Sequence, residues 1–263
     1  MIFCVDIGNS NIVYGCYDGD RPVFLSRVAT DPRRMSDQYA VELHSIFAIH
    51  GVRHELVSAA IISSVVPIVT SSISEAVATA LGIEPVVVKP AEYTNMRIKL
   101  DSPRELGSDL LATAVAARAK YPLPVVIIDM GTATKMTVVS RDGAFLGGAI
   151  MPGLRVATDA LVERTSLLPG VSLQPPEAAI GTNTSDCMRS GVVLGSAAML
   201  DGMYERMCAE LGERASAVIT GGLAGVVAPE CRAPLVRDDT LLLDGLRIML
   251  VERGAPSAAK EKQ

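Results

Sequence analysis

The chain opens with an unbroken apolar run, Ile2 to Val5, that stops at Asp6. A Gly-Asn-Ser turn follows, and apolar residues return from Ile12 to Tyr17. Run, turn and return predict two strands, and the weak alternation from Pro22 to Ala29 predicts a third. From Ser36 the period lengthens. Tyr39, Leu43, Ile46 and Phe47 share one face of a helix that Ser36 caps and Gly51 ends. Leu56 to Ile62 reads as a buried strand. Pro67 opens a second helix with Ile73, Val77 and Leu81 aligned, and Gly82 closes it. Val86 to Val88 is a short strand and Asp101 to Gly107 a loop. A further helix starts at Ser108 or Asp109 and runs through Ala116.

The opening pattern then recurs. Pro124 to Ile128 is apolar, Asp129 ends the run, Gly131-Thr132 turns, and Met136 to Val139 returns. Asp6-Ile-Gly-Asn-Ser aligns with Asp129-Met-Gly-Thr-Ala, almost half a chain later. We read this as an internal duplication. It predicts two similar α/β domains, residues 1–120 and 121–254, with the boundary near Lys120-Tyr121-Pro122. Residues 255–263 are small and charged and are expected to form a frayed tail.

Composition narrows the function classes. Of 263 residues, 49% are apolar and 20% charged, which suits a packed core without disulfides and excludes a largely disordered chain. Aromatics are 4% and Trp is absent, so that core is aliphatic. A net charge of −5 argues against nucleic-acid binding through a broad basic surface. The longest greasy region, Leu56 to Val69, is interrupted by serines and Pro67 and is too short to span a bilayer, so no membrane partner is expected. The N-terminus lacks a basic leader pattern. Five cysteines without a CxxC pair read as reduced thiols, which suits the cytoplasm. His44, His50 and His54 show no metal-ligand spacing.

The chemistry lies in the paired Asp-x-Gly turns. An Asp at the C-terminal end of a buried strand sits at the edge where such sheets bind ligands. A glycine there lets backbone N–H groups approach an anion, and Asn9, Ser10, Asn11, Thr132 and Thr134 add side-chain donors for phosphate oxygens. A carboxylate beside phosphate is repulsive unless a cation lies between them, which implies Mg²⁺ or K⁺. An ordinary hairpin explains one such turn, whereas two at equivalent places point to a nucleotide crevice shared by both hairpins. Ala217-Val-Ile-Thr-Gly-Gly is a strand running into Gly221-Gly222, either bare backbone for a flat adenosine or a tight strand–helix turn. Neither a Walker A loop nor a GxGxxG follows these strands, which leaves an actin-like nucleotide fold with two phosphate loops. Asp109, at a helix start behind Gly107, is either an N-cap or a general base. A carboxylate is well placed at a helix N-terminus.

Together these blocks resemble the type III pantothenate kinase family of the acetate and sugar kinase/Hsc70/actin superfamily, from Asp6 to about Val251. Asp6-Ile-Gly-Asn-Ser-Asn matches the first phosphate loop, Ser63-Ser-Val-Val-Pro67 a structural segment, and Gly107-Ser-Asp109 the substrate loop. Asp129-Met-Gly-Thr-Ala-Thr matches the second phosphate loop, and Gly147-Gly-Ala-Ile-Met-Pro-Gly153 a segment near the ligand. Gly181-Thr-Asn-Thr184 and Thr220-Gly-Gly-Leu223 match the dimer-interface and adenosine segments.

The resemblance implies a fold class of α/β with duplicated actin-like (ribonuclease H-like) domains, mixed sheets flanked by helices. It implies ATP-dependent phosphorylation of pantothenate, the first step towards coenzyme A, by a cytoplasmic homodimer with the substrate site at its interface. Asp109 is then the catalytic base. ATP falls to Asp6, Ile7, Gly8, Asn9, Ser10, Asn11, Ile12, Val13, Gly131, Thr132, Gly221 and Gly222. Pantothenate falls to Gly107, Ser108, Asp109, Leu110 and Thr184. Asp6 holds Mg²⁺ through water, and Asp129 holds a monovalent cation, K⁺ or NH₄⁺.

This chain departs from the family pattern at several places. Leu110 stands where an Arg would pair with the pantothenate carboxylate, and Leu100 where a substrate-contacting Tyr is expected. Lys135 follows Thr134 where the family has Thr, and Thr137 replaces an acidic residue. One hypothesis is that the Lys135 ammonium replaces the monovalent cation or neutralises phosphate, and the alternative is that it points to solvent. The alternatives for the whole chain are a kinase of another small hydroxyl substrate and a non-catalytic nucleotide-binding relative.

Overall fold

β1 (Ile2–Ile7) is apolar on both faces and therefore needs cover on both. In the computed structural model, which describes residues 1–254, it is the middle strand of a five-stranded mixed sheet. The residues 255–263, expected to fray, lie outside the described residues. β2 (Asn11–Asp18) and β3 (Arg21–Ala29) continue from β1 as antiparallel neighbours. α1 (Ser36–Ile49) then crosses to β4 (Ala59–Ser64), parallel to β1, and α2 (Pro67–Leu81) leads to β5 (Val86–Val87). The order is β3-β2-β1-β4-β5. Phe3, Val5 and Ile7 pack with Leu43, Phe47, Ile73 and Val77 of the two helices. Each such fully buried side chain contributes roughly 1.5–3 kcal/mol.

Local chemistry explains where these elements begin and end. Pro67 occupies the first turn of α2, and Gly82 ends it at φ 69°, a left-handed position suited to glycine. Ser36 does not cap α1. Met35 takes that place, and its N–H donates to Gln38 Oε1 at 2.9 Å. The strand expected over Leu56–Ile62 starts later, because His54–Leu56 turns as a short 3₁₀ helix. α3 (Ser108–Lys120) runs on past Ala116.

The second unit repeats the plan. β6 (Val125–Met130) pairs antiparallel with β7 (Ala133–Val139), which pairs with β8 (Phe145–Pro152). α4 (Leu154–Arg164) and α5 (Thr184–Arg189) follow. A π turn over Ser190–Leu194 then leads into α6 (Gly195–Leu211). β9 (Ser216–Thr220) lies parallel to β6, α7 (Ala224–Val227) follows it, and β10 (Leu235–Arg237) lies parallel to β9. The order β8-β7-β6-β9-β10 reproduces the first sheet strand for strand. Val126, Ile128, Met136 and Val138 pack against Leu200, Tyr204 and Cys208.

α8 (Leu241–Glu252) returns to the first unit, which comprises Met1–Thr94, Ser102–Ala116 and the described residues from Leu241. The second unit comprises Asn95–Asp101 and Ala117–Thr240, so the division falls inside α3 rather than after Lys120. The reason lies in β1: its second face, with Ile2 and Cys4, is covered by α8, which packs on β1 and β4. Tyr17 donates to Asp244 of α8 at 2.9 Å. Gly245 lets α8 pass so close to α3 that a Cβ there would overlap the Ala112 carbonyl. Among the described residues, no helix is long and apolar enough to cross a membrane.

Candidate functional site

Asp6 lies at the C-terminal end of β1, where Ser63 and Ser64 end the parallel strand β4. Ser63 Oγ donates to Asp6 Oδ1 at 3.0 Å and meets Ser108 Oγ at 3.0 Å. Ser108 Oγ also accepts from Ser64 N at 3.0 Å. With the one Ser63 proton on Asp6, the one proton of Ser108 is shared between Ser63 Oγ and the Ser64 carbonyl, 3.1 Å away. A buried chain of hydroxyls therefore ties the first residue of α3 to the sheet edge that carries Asp6. Asp109 is the next residue, in the first turn of α3. A Cβ on Gly107 would overlap the Asp109 carboxylate, so the bare residue gives that carboxylate its place. Ser63 was missed as a site residue. A serine inside a buried apolar strand, beside the strand bearing Asp6, was the available signal.

The first hairpin loop exposes Asn9, Ser10 and Asn11, while Gly8 and Val13 are half-buried. Gly8 N–H is committed to Asn11 O at 2.9 Å, and Thr30 Oγ1 donates to Gly8 O at 2.7 Å. Ile7 and Ile12, expected to touch ATP, lie wholly in the core, with neither side chain nor backbone exposed to a ligand.

Asp129 occupies the equivalent position at the end of β6. Across the strands its neighbours are Thr220 on β9 and Lys135 on β7. Lys135 Nζ lies 2.9 Å from Asp129 Oδ2, and the side chains are only 18% and 15% exposed. The turn beside them is held by two glycines. A Cβ on Gly153 would stand 2.6 Å from Gly131 O and still closer to Thr132 O. Gly221, at φ 99°, would place a Cβ 2.6 Å from Met130 N. The bareness of Gly221 thus serves close packing on the chain's own backbone. Gly131 N–H is committed to Ala133 O at 3.2 Å, leaving Thr132 as the exposed residue of the turn and Gly222 exposed beside it.

The two carboxylates offer different sites to a cation. The strand neighbours of Asp6 are Ser63 and Val13, which bring no charge. An oxygen-donor site of this kind fits a hydrated Mg²⁺. At Asp129 the ammonium of Lys135 is already in place. Its repulsion of a monovalent ion about 4 Å away, roughly 4 kcal/mol at an effective dielectric of 20, offsets most of the attraction that the carboxylate would otherwise offer that ion. A K⁺ or NH₄⁺ at Asp129 therefore does not fit these residues.

The remaining expected residues sit as follows. Leu110 is half-buried in the first turn of α3. Leu100 packs on bare Gly147, with its Cδ2 3.2 Å from where a Cβ would stand. Thr184 is exposed at the start of α5, behind Asn183, whose Oδ1 accepts from Asp186 N at 3.0 Å. It borders a cavity of about 630 Å³ that Leu161, Leu168, Met188 and Met199 also line.

Comparison with known proteins adds the following. Residues 2–206 match the family model of type III pantothenate kinase. The type III pantothenate kinase of Geobacter sulfurreducens is 41% identical over 249 residues, 95% of this chain and 98% of that protein. That of Pelobacter propionicus is 42% identical with the same coverage. Among solved structures, a conserved Campylobacter jejuni protein assigned to the Baf family of transcriptional activators superposes with a TM-score of 0.63 at 17% identity, covering 95% and 98% of the two chains. Component A of (R)-2-hydroxyglutaryl-CoA dehydratase from Acidaminococcus fermentans gives 0.54 at 13% identity, covering 94% and 95%. At these identities the structures speak to the fold, which is the duplicated actin-like α/β arrangement.

Proposed function

The chain belongs to the type III pantothenate kinase family, and from that premise we propose that it transfers the terminal phosphoryl group of ATP to the primary hydroxyl of pantothenate. The product is 4'-phosphopantothenate, the first intermediate on the way to coenzyme A. The observation that carries the residue assignment is the Asp6–Ser63–Ser108 chain. It fixes the start of α3, and with it Asp109, to the sheet edge where a carboxylate meets a turn suited to phosphate.

In this reading Asp109 orients the pantothenate hydroxyl and takes its proton as the oxygen attacks the terminal phosphorus. The bond from that phosphorus to the bridging oxygen breaks, and ADP leaves. Asn9, Ser10 and Asn11 in the first loop, and Thr132 in the second, offer donors suited to phosphate oxygens. Gly221 and Gly222 border the adenosine. Asp6 binds Mg²⁺ through water, and the ion, when bound, offsets charge on the transferred group. Positioning and electrostatics supply most of the acceleration. The chain acts as a homodimer in which Thr184 reaches the substrate bound by the other copy, and the exposed start of α5 beside an apolar cavity supports that role. The cytoplasm suits its cysteines, which are free throughout the described residues.

A coupled ADP-release assay with pantothenate and a panel of small alcohols tests the reading. Turnover with pantothenate is expected, with a loss of at least 100-fold in Asp109→Asn while ATP affinity is kept. Leu110 brings no cation for a carboxylate, so turnover with an uncharged alcohol alone would redirect the assignment to another acceptor. Nucleotide binding with no turnover on any acceptor would sink the kinase reading.

A further inference from the structure

A carboxylate at the mouth of an anion-binding turn is a liability unless a positive charge accompanies it. The two halves of this molecule meet that requirement differently. In the first sheet the residue directly across the hairpin from Asp6 is Val13. In the second, the loop between Met130 and Thr134 is one residue shorter than that between Ile7 and Ile12, and the residue across from Asp129 is Lys135. Directly opposed residues point to the same face, so the ammonium and the carboxylate meet at 2.9 Å. Thr220 lies on the other side of Asp129 and is buried. The pair is largely shielded from water and hence little screened by salt.

We propose that Lys135 is the resident cation of the second phosphate loop. Its ammonium neutralises Asp129, presents positive charge to the bound anion, and excludes the monovalent metal ion that such a carboxylate would otherwise recruit. Being covalently attached, it needs no supply from solution, so the chain works independently of K⁺. The exclusion of a monovalent ion stands on the ion pair alone, whereas the contact with a phosphate rests on the kinase reading above.

The test uses the full chain in tetramethylammonium buffer, with Tl⁺ as the probe for a K⁺ site. Titration followed by ²⁰⁵Tl NMR should show no K⁺-competed binding to the wild type. In Lys135→Met, K⁺-competed Tl⁺ binding should appear. ATP affinity of this variant, measured by calorimetry, should fall at least tenfold and recover when K⁺ is added. Lys135→Arg keeps the charge and should remain independent of K⁺. It serves as the readout should Lys135→Met fail to fold, which circular dichroism reports. K⁺-competed Tl⁺ binding to the wild type would overturn the proposal, as would a tenfold rise in its ATP affinity with K⁺, or an unchanged ATP affinity in a folded Lys135→Met. Absence of pantothenate turnover in the wild type would count against the kinase reading and leave the Tl⁺ result to decide this one.

Discussion

Gly153 stands where the end of β8 passes against the Gly131-Thr132 turn, and its replacement by alanine probes that turn without touching a charge. The new Cβ would lie 2.6 Å from Gly131 O, whereas real Cβ contacts essentially never fall below 3.0 Å. The carbonyl must therefore retreat by at least 0.4 Å, and Thr132 O by more, because it lies closer still. Backbone on both sides of the contact leaves no flexible side chain to give way. Overpacking of this kind costs about 1–3 kcal/mol. At roughly 2–4 °C per kcal/mol for chains of 150–250 residues, that lowers Tm by several degrees. The same displacement moves Thr132 away from the phosphate it is proposed to hold. Losing about 1.5 kcal/mol from one hydrogen bond to a charged group raises KM for ATP about tenfold. Gly170→Ala is the control, since nothing lies within 4 Å of its Cβ position. Thermal melts and ATP-dependent initial rates compare the two. If Gly153→Ala matches Gly170→Ala in both Tm and KM, the turn is not held as described.

Two further perturbations reach other parts of the molecule. Burial pushes Asp238 up, but hydrogen bonds from Lys120 at 2.6 Å and Tyr121 at 2.8 Å, together with the Lys120 charge, outweigh it and hold the carboxyl below the usual range. Its contribution is thus complete at neutral pH and is lost as the pH falls below about 4. The stability gap between the wild type and Asp238→Asn in urea melts should close over that acid range, and a pH-independent gap would contradict this. Leu110→Arg places a guanidinium in the first turn of α3 and should lower KM for pantothenate about tenfold, the value of one charged hydrogen bond. The neutral alcohol analogue of pantothenate should be unaffected, and an equal gain for both would show that the carboxylate is not the group contacted.

Much of the scaffold was legible because the duplicated strands carry it openly. β1 and β6 are apolar runs that each stop at an aspartate, and both hairpins return with the same pattern, so two like sheets follow from the letters alone. α4 was not legible: only Leu154 and Thr158 of its residues are buried, and so sparse a stripe leaves little periodicity to read. The packing of α8 on the first sheet was also hidden, because periodicity predicts an apolar face without naming its partner. At the site, the aspartates and glycines announced themselves, but some of the glycines are bare for a different reason. Gly153 and Gly221 make room for the protein's own chain. The meeting of Lys135 with Asp129 followed from hairpin register, which a residue-by-residue comparison with relatives does not display.

The return of the last helix has a consequence for how this protein is made. The ribosome releases the first sheet early, yet the side bearing Ile2, Cys4 and Ile61 waits for Leu241–Glu252, the final described element. The intervening stretch 117–240 is continuous and emerges entire beforehand. The half begun first is finished last, and throughout translation the nascent polypeptide carries an open greasy surface of the kind that chaperones shelter.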